Sequence, residues 1–245
     1  EVSGSAGTLG RRLGTTPRVS VGSRAAFASV RLPDLADQGV EPSREASFIV
    51  PALHVGGAVG LFDGIQLKPT VGGFLSVDLL AQASFLFLPT GEGFDGGTNG
   101  YSVGARVGIL RESFTLPGIA ISLSRRDMGD VGYGDAEGAG GGSVEVDPTV
   151  TSVRVTVGKD LLSVGVLAGF GWDSYSGRAT IRAATDGAVA VESAPSFDHS
   201  RNLIYGGAAL NFLILQLSAE VGWAGGFDDV TEYFGDQFDP SAGTF

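Results

Sequence analysis

The stretch VGGFLSVDLLAQASFLF, Val71 to Phe87, alternates in a way that suits neither a helix nor an ordinary soluble strand. In an extended chain Val71, Gly73, Leu75, Val77, Leu79, Ala81, Ala83, Phe85 and Phe87 lie on one face, and Gly72, Ser76, Asp78, Gln82 and Ser84 on the other. The strand is apolar along the whole of one side and longer than most soluble strands. One strand of this kind is compatible with a soluble two-layer fold, so its recurrence decides the matter. The pattern returns in segments at about 17–31, 49–62, 101–111, 117–127, 149–158, 161–176, 201–212 and 213–226, besides 70–88 itself.

The connections alternate between long and short. Long, polar, Gly/Asp-rich ones lie at about 32–48, 89–100, 128–148, 177–200 and 227–241; short ones lie at about 63–69, 112–116, 159–160 and 211–214. Membrane barrels carry long loops on the outer side and tight turns on the periplasmic side, so the rhythm predicts a topology. It puts segment 1–16 on the periplasmic side and residues 17–245 in a single barrel domain. Nine up-and-down strands leave the chain on the long-loop side, and a closed barrel of the bacterial kind has an even number. Ser241-Ala242-Gly243-Thr244-Phe245 is therefore read as the start of a tenth strand, with the natural terminus expected beyond it. The fold class expected is all-β: an antiparallel up-and-down transmembrane β-barrel of ten strands, nine complete and one begun.

Composition narrows the function classes. Gly occurs 40 times in 245 residues, scattered through apolar segments without a collagen-like period, so it serves strands and turns. No apolar run reaches the length of a membrane helix, but barrel strands hide every second residue from a hydropathy average. Cysteine is absent, which excludes disulfides, thiolate metal sites and a cysteine nucleophile. A net charge of −11 without clustered Lys and Arg argues against nucleic acid as a partner. Glu1 to Thr16 contain no apolar signal core, so a secretory signal is expected to have been removed and export is inferred from the body of the chain.

Sorting the strands by parity gives apolar stripes without charges. They include Val19, Val21, Ala25 and Phe27; Leu53, Val55, Val59 and Leu61; Tyr101, Val103 and Val107; Val164, Val166, Phe170 and Trp172; Leu203, Tyr205 and Ala209; and Leu215, Leu217, Val221 and Trp223. The alternate positions carry Arg24, His54, Asp78, Arg106, Arg126, Arg154, Asp173 and Glu220. In a soluble barrel the apolar face points inward, whereas in a membrane barrel the senses are exchanged. The length of the stripes, their presence in every strand, and Phe87, Tyr101, Trp172 and Trp223 at strand ends near the long loops favour the membrane sense, with those aromatics as a girdle at headgroup level.

Over residues 17–245 the chain resembles the small outer-membrane β-barrel class of Gram-negative bacteria, through alternation, loop rhythm and aromatics. The resemblance implies an outer-membrane location and membrane lipid as the surrounding partner. It carries over no catalytic residues.

In the interior, charges of both signs pair, because an unpaired ion in a narrow low-dielectric space is strongly unfavourable. A barrel of this size is filled or nearly filled by its side chains, so the expected lumen is plugged. His54 and the neighbouring Asp198 and His199 invite comparison with the omptin family, ten-stranded surface proteases that activate water with Asp and His. Asp198 and His199 are adjacent in sequence and point apart in an extended segment, so no enzyme activity is expected. The long loops hold most of the acids, at spacings that match no calcium loop, and no metal or cofactor is expected. In the last loop Phe227, Tyr233, Phe234 and Phe238 interleave with acids including Asp228 and Asp229, which makes it a candidate contact site for another envelope or extracellular protein. The function expected is structural or protein-interacting. The alternatives are a narrow channel for small solutes or ions, and a soluble β-barrel holding an apolar ligand.

Overall fold

A computed structural model describes residues 18–33, 45–66, 73–90, 93–134, 142–185, 188–212, 215–225 and 242–244. Segment 1–16 and the last long loop, with Phe227, Asp228, Asp229, Tyr233, Phe234 and Phe238, lie outside the described residues.

The strands are β1 (Arg18–Pro33), β2 (Glu45–Phe62), β3 (Ser76–Leu86), β4 (Thr98–Leu110), β5 (Gly118–Met128), β6 (Val131–Gly134), β7 (Gly142–Leu161), β8 (Val164–Thr185), β9 (Ala188–Ser193), β10 (Ser196–Phe212), β11 (Leu215–Ala224) and β12 (Ala242–Thr244). They form one antiparallel sheet in which nine long strands and β12 run up and down and the whole curls into at least a half-barrel. Each of these ten pairs with its neighbours in the meander. In addition β7 pairs with β5 and β8, while β12 pairs with both β11 and β1. The nine strands read from sequence are present, and the tenth, expected to begin at Ser241, is seen as β12 over Ala242–Thr244.

Two of the expected long loops are largely sheet. β5 breaks at Gly129 and Asp130 and resumes as β6, which pairs with β7 from Val131↔Val146 to Gly134↔Ser143. β9 and β10 likewise run along β8, interrupted at Ala194 and Pro195. The four strands β6-β7-β8-β9 therefore continue the wall past the strand ends on the long-loop side. Val131 and Tyr133, Val144 and Val146, and Val189 and Val191 do alternate along these strands, but each stretch is short and set among Gly, Ser, Thr and acidic residues, so in sequence the segments read as loops. The 89–100 connection is also tied down: Phe94 is buried against Tyr133 with ring centroids 4.8 Å apart, and Gly134 N donates to Gly93 O.

At the other end the chain turns tightly. β3 is shorter than the 70–88 alternation suggests, because Gly73 and Leu75 adopt positive φ and Phe74 bridges back to Ile65. β7 passes the expected turn at Lys159 and Asp160 and reverses at Leu162 and Ser163, with Leu162 at φ 61° and almost fully exposed. Lys159 Nζ donates to the carbonyls of Ser113, Phe114 and Leu116 in the β4–β5 turn, and Glu112 Oε1 accepts from Asp160 N at 2.6 Å. The turn that closes one hairpin is thus capped by the next.

Burial is inverted relative to a soluble protein. Val19, Val21, Phe27, Leu53, Leu79, Val103, Leu123, Val166, Phe170, Leu217 and Val221 are exposed, whereas His54, Ser76, Asp78, Gln82, Ser84, Arg154 and Asp173 are buried. The apolar core consists of small residues and a few aliphatics such as Ala58, Leu80 and Ala120.

One strand has the opposite sidedness to that expected. On β10 it is Ile204, Leu210 and Phe212 that face out, while Leu203, Tyr205 and Ala209 face in. Both parities of this strand are apolar, so hydropathy does not discriminate between them. The register does: Arg201 stands opposite buried Asp173, and residues of one parity share a face.

Candidate functional site

The inner face collects the charges that the parity argument singled out. Asp78, at 0 % exposure, accepts from Arg106 Nη2 at 2.8 Å and Nε at 3.1 Å, across the register pair Asp78↔Arg106. Arg154 Nη2 lies 2.7 Å from one oxygen of Asp173 and 2.8 Å from the other, and its Nη1 donates to the carbonyls of Val153 and Trp172. Ser152 donates to Asp173 at 2.6 Å. These are charge-assisted bonds in a place that water does not reach freely, where an unpaired partner would be unfavourable by several kcal/mol. Gly171 makes the arrangement fit, since a Cβ there would collide with the Arg154 guanidinium arm.

The remaining expected lumen residues form a looser set. His54 Nδ1 lies 2.8 Å from Ser84 Oγ, and Gln82 Nε2 donates to both at 3.2 Å. Arg24 Nη1 and Glu220 Oε1 approach to 3.5 Å from β1 and β11. Arg126 is half-buried on the same face. The eight residues therefore share one face: six form the pairs Asp78–Arg106, Arg154–Asp173 and Arg24–Glu220, while His54 is held by Ser84 and Gln82 and Arg126 lies on the same face.

Two inward residues were missed in the sequence. Arg201 Nη2 donates to Tyr175 Oη, and its guanidinium carbon sits 4.8 Å from the Tyr175 ring centroid. Tyr205 lies across β8, its ring over Gly169 and its hydroxyl 2.5 Å from Thr156 Oγ1. The signal was available, because Arg201 has the same parity as Tyr205 and Ala209 and a charge marks the inner face.

Phe87, Tyr101, Trp172 and Trp223 are all exposed on the outer face. From Tyr101 the ladder crosses to Asp127, Thr149 and Ser176, so Trp172 lies four residues lower after three crossings. From Trp172 it crosses to Asn202 and on to Gly225, so Trp223 lies two residues lower after two crossings. At the tight-turn end Phe62, Phe114 and Phe212 are exposed as well, which the sequence reading had not grouped.

Asp198 and His199 are consecutive in β10, opposite Ser176 and Tyr175, so their side chains leave on opposite faces. His199 stacks on Phe197 with centroids 6.3 Å apart. Among the described residues no group of three or more His, Asp or Glu is placed to hold a metal ion. No family model, curated protein or solved structure matches this chain.

Proposed function

We propose that the chain is an integral barrel of a bacterial outer membrane: a ten-stranded wall, lipid against its apolar face, ion pairs filling its interior, and a non-catalytic role as a structural or protein-binding element. The observation that carries this reading is the inverted burial. In water, exposed stripes such as Val164, Val166, Phe170 and Trp172 would be an aggregation hazard, while hydrocarbon makes them the favoured surface.

Dimensions support the same reading. From Leu162 to Trp172 the strand climbs ten residues, which at about 3.3 Å each and a tilt of about 40° gives about 25 Å, the height of a barrel's apolar band. Exposed Phe87, Tyr101, Trp172 and Trp223 toward the long-loop side and Phe62, Phe114 and Phe212 toward the tight turns supply aromatics for two girdles. Closure is supported by the chain of pairings through β5, β7 and β8 and through β11, β12 and β1. The Asp78–Arg106 and Arg154–Asp173 pairs favour a filled lumen over an open channel. The projecting β6-β7-β8-β9 sheet offers an interaction platform on the long-loop side, and the aromatic-acidic composition of 227–241 makes that loop its companion on sequence grounds.

The test is membrane partition. Expressed with a signal, the chain should resist carbonate, dissolve in detergent and change electrophoretic mobility on boiling. Val166→Arg puts a charge at mid-height on the lipid side, at an expected cost of ~2–4 kcal/mol, and should reduce the assembled fraction. A carbonate-soluble protein indifferent to Val166→Arg would overturn the proposal.

A further inference from the structure

The sidedness of the sheet reverses where it rises past the apolar stripes. Leu123, Val153 and Trp172 form one outward row across β5, β7 and β8, and in the next row up Arg125, Thr151 and Ser174 stand in their place. Higher still the outer face is polar, with Glu145, Asp147, Arg178, Thr180, Arg182 and Asp198 on it and Arg182 Nη1 3.1 Å from Glu145 Oε2. The inner face changes the other way. β7 and β8 pair without a bulge, so the parity that turns Arg154 and Asp173 inward also turns Val144, Val146, Ala179 and Ile181 inward. Tyr133 joins them from β6 and Phe197 from β10, through the register pairs Tyr133↔Val144 and Phe197↔Gly177. Phe94 packs on Tyr133 at one side of this apolar strip, while Ile181 at its upper end is 42 % exposed. At its foot lies the inner row Arg126, Val150, Tyr175 and His199, with Arg154, Asp173 and Arg201 just beneath. At that depth the described inward residues of β5, β7, β8 and β10 thus bring the three cations Arg126, Arg154 and Arg201 to the one carboxylate of Asp173, a positive surplus whatever pairs they form.

We propose that this inner face binds a single-chain anionic amphiphile, a long-chain carboxylate. Its alkyl tail lies along Val144, Val146, Ile181 and Phe197, and its head reaches the cationic foot at Arg126 and Arg201. Two features choose this occupant. The strip stands above the outward stripes that lipid covers, so apolar matter from another source is needed to take it out of water. It also ends on a surplus of guanidinium charge, which favours an anionic head and repels a cationic one. From Tyr175 to Ile181 the strand rises six residues, about 20 Å at about 3.3 Å each, a span that suits a long alkyl chain and exceeds what a small solute fills. The position of the strip above hydrocarbon rests on the proposed function; the apolar strip over a cationic foot does not.

The chain contains no cysteine, so a single one can carry an environment-sensitive fluorophore, at Ala179→Cys on the inner face or at Arg178→Cys on the outer face. In nanodiscs of zwitterionic lipid, dodecanoate above its pKa should give a saturable blue shift at Ala179→Cys and none at Arg178→Cys. Dodecyltrimethylammonium should bind at least about 10-fold more weakly. Ile181→Glu should weaken dodecanoate binding by about 10-fold or more and Thr180→Glu, on the outer face, should leave it unchanged; Arg201→Gln should weaken it by about 10-fold. If Arg201→Gln fails to assemble, Arg126→Gln gives the same comparison. Several results would overturn the proposal: equal binding of the cationic amphiphile, an equal unsaturable response at both labels from partition into the bilayer, indifference to Ile181→Glu, or an inner label already shielded from aqueous iodide and unmoved by dodecanoate because another part of the chain covers the strip. Carbonate extraction of the unlabelled chain keeps the two readings apart. A carbonate-soluble chain that still binds dodecanoate with this preference retains the site and loses the membrane, and a carbonate-resistant chain without a saturable shift does the reverse.

Discussion

β3 and β11 carry the same alternation of apolar and polar residues, yet their inner faces differ. On β3, Ser76, Asp78 and Ser84 are fully buried; on β11, Gln216 and Ser218 are exposed and Glu220 is only partly covered. The two strands differ in their neighbours. β3 is paired along both edges, by β2 and β4, whereas among the described residues the strand pairing seen on the second edge of β11 is that of Gly222, Trp223 and Ala224 with β12. A polar stripe therefore becomes an interior only where strands on both sides hold the curvature, and sequence alternation alone does not guarantee it.

The largest test of this contrast is the removal of one acid from each wall. Asp78→Ala leaves the Arg106 guanidinium without its buried carboxylate and should lower stability by about 3–5 kcal/mol. Glu220→Ala breaks a longer, partly solvated pair and should cost about 0–1 kcal/mol. Urea unfolding followed by the fluorescence of Trp172 and Trp223 gives both numbers, and equal losses would break the comparison. Next in size is Gly169→Ala on the doubly paired β8, where the new methyl group meets the Tyr205 ring; overpacking should cost about 1–3 kcal/mol. The same change at Gly22, where nothing lies within 4 Å of a Cβ, should have little effect on the inner face. Tyr205→Phe, which keeps the ring over Gly169 and removes the bond to Thr156, should lower the same midpoint by about 0.5–1.5 kcal/mol. A larger loss from Tyr205→Phe than from Gly169→Ala would mean that the hydroxyl, and not the fit of ring to glycine, fixes β10 against β8.

The strand count, the rhythm of connections and the grouping of Arg24, His54, Asp78, Arg106, Arg126, Arg154, Asp173 and Glu220 on one face were legible because each follows from a local period of two. What sequence missed depends on partners remote in the chain. β10 was read with the wrong face outward, since Leu203 and Ile204 are equally apolar; the parity of charged Arg201, which the register sets opposite Asp173, separates them. β6 and β9 went unseen because their alternations, Val131 with Tyr133 and Val189 with Val191, are short and lie inside Gly- and acid-rich connections. The pairings Asp78–Arg106 and Arg154–Asp173 were anticipated as a mixture of signs and became specific only with the register.

The β7–β8 hairpin has a kinetic consequence. It closes through two turn residues and pairs without interruption from Leu161↔Val164 to Gly142↔Ala183, the longest ladder among the described residues, and its first contacts join residues only three apart in the chain. Local contacts form before distant ones, because less loop entropy is lost in making them. The order of assembly should then run outward from this hairpin, through β5 on one side and β10 on the other. The pairing of β1 with β12, whose partners stand more than two hundred residues apart, comes last. Substitutions in β7 and β8 should slow folding, and those at the β1 edge should mainly speed unfolding, a division that folding and unfolding rates measured side by side will reveal.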